Sequence, residues 1–242
     1  MKPRTRSISG ALMMLVIIPI FAGLLACMPE YVPLGNPERA KVDPDMTGIW
    51  YAPGDEVLLG NIIFLQPWDK RTWLSVNVSV ELREELDPEL YDPQKFDMST
   101  YAGFMNVLDD ISLDEDSFDI AVITYKAWLV RLAGETFFTW EWRGLPNDPG
   151  EEVPDPSDPW YWIDLRIDEK DKNSIRMRLI DPEFPPLKAA PHTKKGWERV
   201  VRKHVDDEAM YLEDTVVLTR VAGEHAEDVV ELIFYAFTRG EL

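Results

Sequence analysis

Between Arg71 and Leu82 the chain alternates without a break. Leu74, Val76, Val78, Val80 and Leu82 share one face, and Ser75, Asn77, Ser79 and Glu81 share the other. A period of two held over this length predicts a β-strand, because a helix would scatter those aliphatic residues around its circumference. The pattern recurs. Glu135 to Arg143 sets Phe138, Trp140 and Trp142 opposite Thr139 and Glu141. Trp160 to Asp168 points Tyr161, Ile163, Leu165 and Ile167 inward against Asp164 and Arg166. Ser174 to Ile180 opposes Ile175, Met177 and Leu179 to Arg176 and Arg178. Gly48 to Tyr51, Val57 to Gln66 and Asp214 to Val221 are shorter or less regular strands, and Phe118 to Leu132 is apolar on both faces, which leaves its parity open. Ala133-Gly134 and Asp171-Lys172-Asn173 are turns. Eight strands with mostly short connections predict an antiparallel, mainly β fold.

Two insertions interrupt the series. Residues 83–117 carry acidic ends and a short helix near Met98–Leu108, whereas 145–159 (LPNDPGEEVPDPSDP) cannot pair as a strand. Residues 183–196 read as loop, and Gly196 to Ala209 as a short helix on the spacing of Trp197, Val200, Val201 and His204. Ala226, Val229, Val230, Ile233, Phe234 and Phe237 recur at helical spacing, so an amphipathic helix ends the chain and must dock on something.

Of 242 residues, 45% are apolar, which excludes a disordered acidic tail, and a formal charge of −19 excludes a phosphate-neutralising nucleic-acid surface. The single cysteine cannot close an intramolecular disulfide; its position explains it. Lys2, Arg4 and Arg6 precede the apolar stretch Ala11–Ala26, and Leu24-Leu25-Ala26-Cys27 follows the pattern of small or aliphatic residues before a thiol. This resembles the lipobox of bacterial lipoproteins. The resemblance implies that residues 1–26 are a signal peptide, that Cys27 carries a diacylglyceryl group and an acylated amino terminus, and that the protein sits on a membrane outside the cytoplasm. Met28 after the cysteine implies the outer membrane under enteric-type sorting. An uncleaved transmembrane helix over Ser7–Pro29 is the alternative, opposed by Pro19 and by a basic flank only at the front. Losing Lys2, Arg4 and Arg6 takes the formal charge from −19 to −22. Residues 27–45, with Pro29, Pro33, Pro37 and Pro44, read as a semi-extended tether reaching roughly 50 Å, and 46–242 as the folded domain.

Thr47-Gly48-Ile49-Trp50 opens the first strand, and Gly-x-Trp at that place resembles the lipocalin signature. The resemblance implies an eight-stranded barrel, closed at one end by the tryptophan and open at the other on an apolar cavity, with a helix packed late in the chain. Trp50 is otherwise an ordinary core aromatic. Ala127–Phe138, Leu179–Phe184 with its Asp181-Pro182, and Val217-Leu218-Thr219 are similar to successive stations in uncharacterised bacterial lipoproteins, over roughly 45–240. That family implies the same barrel and no mechanism. Eight of nine tryptophans fall between Trp50 and Trp162. If Trp140 and Trp142 point inward beside Tyr161, then with Trp50 and Phe138 they line an aromatic site for a hydrophobic small molecule or lipid; otherwise they fill a closed barrel.

Catalytic motifs are missing: no Gly-x-Ser-x-Gly, Walker loop or His-Glu-x-x-His occurs, and His192, His204 and His225 converge by no defensible spacing. Glu141 and Asp164 could face each other across neighbouring strands, although a surface pair near Arg143 and Arg166 is the plainer reading. Asp109-Asp110, Asp114-Glu115-Asp116 with Asp119, and Asp43-x-Asp45-x-Thr47-Gly48 fall short of a calcium loop and read as solvated turns. The expectation is a non-enzymatic, membrane-anchored binding module without metal or cofactor. The alternative is a structural lipoprotein with a filled barrel and a protein partner.

Overall fold

Eight strands hydrogen-bond in chain order, each antiparallel to the next, and the last returns to the first to close a barrel. They are β1 (Gly48–Pro53), β2 (Leu58–Pro67), β3 (Trp73–Leu82), β4 (Phe118–Leu132), β5 (Glu135–Gly144), β6 (Trp162–Lys170), β7 (Ser174–Ile180) and β8 (Tyr211–Arg220). Helix α1 (Tyr101–Asp110) lies in the β3–β4 connection; α2 (Pro185–Lys188) and α3 (Lys194–His204) lie between β7 and β8. Residues 227–232 are helical. The computed structural model describes residues 32–54, 58–82, 97–110, 118–144, 161–225 and 227–232. None of the described helices is long and apolar enough to cross a membrane.

The two ends of the barrel differ. At one end the connections are short: 68–72, Ala133-Gly134 and 171–173. Ala133 (φ 55°) and Gly134 (φ 93°) both take the left-handed backbone of a two-residue hairpin, which matches strand twist. At the other end lie all the long connections, 83–117, 145–161 and 181–210.

Directly paired residues point to the same side of a sheet, so the inner face can be followed around the barrel. Trp50 stands opposite Ile63, Ile63 opposite Asn77, and Asn77 opposite Ile123. Leu65, Ser75, Tyr125 and Trp142 form the next row, and Trp73, Ala127, Trp140 and Ile163 another. The even alternation of β3 is confirmed, and its direction is decided: Ser75, Asn77 and Ser79 face inward, whereas Val76, Val78 and Val80 face outward. The outer valines stay dry because α1 and residues 227–232 cover them, Phe104, Val107, Val229 and Leu232 packing on Ile62, Val78 and Val122. This cover also settles β4, which is buried on both faces. Val229 docks as its spacing predicts, but Val230 stays 59% exposed and Leu232 takes the inward place. Ala226, Ile233, Phe234 and Phe237 lie outside the described residues.

A second cover lies over β4–β7. Trp197 and Val201 of α3, Leu187 of α2 and the N-terminal segment pack on Trp128, Val130 and Phe137. Helix α3 starts at Lys194, where the Thr193 hydroxyl accepts from the Gly196 amide at 3.1 Å. The expected loop 183–196 thus contains α2 and the start of α3. Residues 32–46 are not a free spacer either: Leu34 and Met46 are fully buried, Ala40 is buried, and two single 3₁₀ turns (Pro37–Arg39, Pro44–Met46) bend the segment along the wall. Gly35 makes this approach possible. It sits at φ +69°, and a Cβ there would lie 2.2 Å from Val130.

Candidate functional site

Trp50 closes the short-turn end. Its ring is fully buried, its indole N–H donates to the Met46 carbonyl at 2.8 Å, and the Arg220 guanidinium lies 4.2 Å above it. Arg220 also donates to the carbonyls of Thr47 (2.9 Å), Lys172 (2.6 Å) and Asp45. One side chain thereby ties the entry to β1, the β6–β7 turn and the end of β8. This matters because β1 and β8 share only the pairs Trp50–Arg220 and Tyr51–Thr219. Gly48, at φ +138°, is required here: a Cβ would stand 2.5 Å from the Arg220 Nη1.

From this floor an aromatic column climbs toward the long-connection end. Trp73 meets Phe138 edge-on at 5.8 Å, Phe138 meets Trp140 edge-on at 5.5 Å, Tyr125 lies 5.2 Å from Trp140, and Trp142 lies 6.1 Å from Tyr125. Trp50, Trp73 and Phe138 are fully buried, and Leu65, Leu165, Ile175, Met177 and Leu218 pack with them in the lower barrel. Higher up, the inner wall turns polar. Ser75, Asn77 and Ser79 are buried on β3; the Ser75 hydroxyl donates to the Asn77 side-chain oxygen at 2.8 Å, and the Ser79 hydroxyl to that of Asn61 at 2.5 Å. Burial pushes the Tyr125 hydroxyl up to about 12, so it stays a neutral donor and acceptor.

Trp140 is 7% exposed and Trp142 is half-buried, yet the indole N–H of each is buried with no hydrogen-bond partner among the described residues. Each such donor costs about 1–3 kcal/mol when left unpaired in a dry interior. Two of them on the inner wall, across from uncharged Ser and Asn side chains, make this half of the barrel chemically unlike its packed floor. An apolar body could stack on the rings, and an acceptor oxygen could pair with the indoles.

Of the residues singled out in the sequence, Trp50, Phe138, Trp140 and Trp142 lie on the inner face. Trp50 and Phe138 belong to the floor, and Trp140 and Trp142 to the upper wall. Tyr161 precedes β6; its ring is partly exposed and meets Trp162 edge-on at 4.8 Å, and Trp162 belongs to the outer wall. The Tyr161 carbonyl accepts from the Trp142 amide at 3.0 Å, and Tyr125 stands beside Trp142 on the inner row. Cys27 lies outside the described residues, as do the side chains of Asp109 to Asp119.

Glu141 and Asp164 do not face each other. Glu141 stands opposite Trp162 and pairs with Arg143 at 2.8 Å, whereas Asp164 stands opposite Thr139. Asp164 is no surface residue: the N-terminal segment seals it. Its Oδ1 accepts from the Thr139 hydroxyl at 2.5 Å and the Leu34 amide at 3.3 Å, while the Trp128 indole donates to the Leu34 carbonyl at 3.0 Å. Burial raises its carboxyl to about 7 against these two hydrogen bonds. Asp43 caps the turn at Asp45 and pairs with Lys170, so it acts as a structural carboxylate. His204 contacts Phe184 and Asp207, and His225 contacts Tyr101 and Asp228, in separate outer clusters. No metal-holding group of His, Cys, Asp and Glu occurs among the described residues.

The polar inner strip went unread in the sequence, although a signal was present. Solvent faces of these strands carry charges (Arg176, Arg178, Glu141), and the Ser75-Asn77-Ser79 face carries none until Glu81. The chain matches no protein-family model, no curated protein and no solved structure.

Proposed function

We propose that this chain is a lipid-anchored envelope lipoprotein whose lipocalin-like barrel binds a small amphipathic molecule without catalysing a reaction on it. The observation that carries this reading is the pair of buried indole donors of Trp140 and Trp142 on the upper inner wall, which have no hydrogen-bond partner among the described residues. The ligand has an apolar or ring-bearing body and at least one acceptor oxygen, a carbonyl, hydroxyl or carboxylate, to meet them. The Arg220–Trp50 closure and the long connections at the opposite end support entry from the long-connection end. The lipobox pattern ending at Cys27 supports the anchor, by which a chain of such negative charge is held at a membrane despite repulsion from anionic headgroups.

Native mass spectrometry of the full chain, isolated from its producing cells, tests the reading. One bound small molecule is expected, retained by the wild type and lost from a folded Trp140→Phe/Trp142→Phe variant. A wild type that carries nothing, and takes up nothing from a total lipid extract of those cells, overturns it in favour of a filled barrel.

A further inference from the structure

The short-turn end holds a concavity, apart from the upper inner wall. Residues 39–46 stand off from the ends of β4, β5 and β6 and enclose a cleft of about 790 Å³, within the range of small-molecule sites. Its floor is apolar: Met46, fully buried, with Leu129 and Ile167 at the ends of the inner face. Its rim is cationic, with Arg39, Lys41, Arg131 and Lys170 against only Asp43 and Glu135. Both acids are engaged, Asp43 by Lys170 and Glu135 by Arg166 at 3.4 Å. Arg39, Lys41 and Arg131 have no ion-pair partner among the described residues.

Other cations, such as Lys70, Arg71, Lys126 and Arg199, also have no ion-pair partner among the described residues, but Arg39, Lys41 and Arg131 are set apart by lining one apolar-floored recess on a chain of net charge −19. The inner-face register explains how. Arg131 lies two residues beyond Leu129 on the same face of β4, so the strand that supplies the floor also supplies a rim charge. We propose that this cleft binds an anionic amphiphile, its carboxylate or phosphate head between Arg39, Lys41 and Arg131 and its alkyl chain against Leu129 and Ile167, which Met46 backs. The arrangement joins charge pairing at the mouth to apolar burial beneath, and neither alone accounts for both surfaces.

The test is equilibrium dialysis of the full chain, held in phosphatidylcholine nanodiscs with empty nanodiscs as blank. The probes are octanoate, octyl phosphate, octanol and inorganic phosphate. The expected result is saturable one-to-one binding of octanoate and octyl phosphate, at least ten-fold weaker for octanol and for inorganic phosphate. Binding should also weaken at least ten-fold in an Arg39→Gln/Lys41→Gln/Arg131→Gln variant and persist in Trp140→Phe/Trp142→Phe. Octanol binding as well as octanoate overturns the proposal, because the rim then does nothing. Inorganic phosphate binding as well as octyl phosphate overturns it in favour of a plain anion site. Loss in the tryptophan variant with retention in the rim variant assigns the probe to the upper inner wall and overturns the cleft alone. Loss of the upper-wall ligand leaves the cleft result standing, so the two readings fail separately.

Discussion

Replacing Asp164 by Asn should make the protein more stable at alkaline pH. Burial carries the Asp164 carboxyl from an ordinary 3.8 to about 7. Between those values the folded state holds a proton that the unfolded chain has released, so stability falls as pH rises from about 4 to 7. At 1.36 kcal/mol per pH unit the full cost of ionising the buried group is about 4 kcal/mol above pH 8. An asparagine Oδ1 can accept from the Thr139 hydroxyl and the Leu34 amide as the carboxylate does, and it carries no charge to desolvate. Against this stand a weaker acceptor and a new buried amide donor, together about 1–2 kcal/mol. The net expectation is a gain of about 2–3 kcal/mol at pH 8 and little change, or a small loss, at pH 4.5. Urea unfolding followed by tryptophan fluorescence at several pH values reads both numbers. The decisive quantity is the difference between variant and wild type, since it isolates this group from every other titration. A difference that stays constant from pH 4.5 to 8 would refute the reasoning, because it would mean that Asp164 ionises in the fold as it does in water.

Three further outcomes follow from the same geometry. Gly48→Ala should cost about 2 kcal/mol or more, since it combines a disallowed backbone with a Cβ 2.5 Å from Arg220; Arg220→Ala should lower the urea midpoint too, and the double variant should lose less than the sum, as measured by a double-mutant cycle. Ala133→Gly should stabilise the fold by about 0.5–1 kcal/mol, read as a higher thermal midpoint, because Ala133 occupies left-handed backbone at φ 55° with no compensating contact needed from its methyl. Cys27→Ser should move the chain out of the detergent-rich phase in a partitioning assay; unchanged partitioning would favour the transmembrane alternative.

The periodicity of two was enough to read nearly every strand and the faces of β3, β5, β6 and β7, because alternation is a local property of an extended chain. It could not say which face of β3 is inside. In a barrel whose outer wall is itself covered, both faces are dry, and burial no longer sorts apolar from polar. Only the pairing register from Trp50 through Ile63 to Asn77, and the docking of α1 on Val78 and Val80, made the serines and asparagines interior. The aromatic inner face of β5 was legible for the opposite reason: it alternates with Thr139 and Glu141 and offers only one choice.

By itself, then, the sequence determined that this chain makes an antiparallel meander of eight strands, since spacing and turn chemistry act between neighbours. The tertiary structure alone decided closure through Arg220, the burial of Asp164 under Leu34, and the convergence of Arg39, Lys41 and Arg131. Each of these joins residues far apart in the chain, and a contact between distant residues leaves no period for a sequence to display.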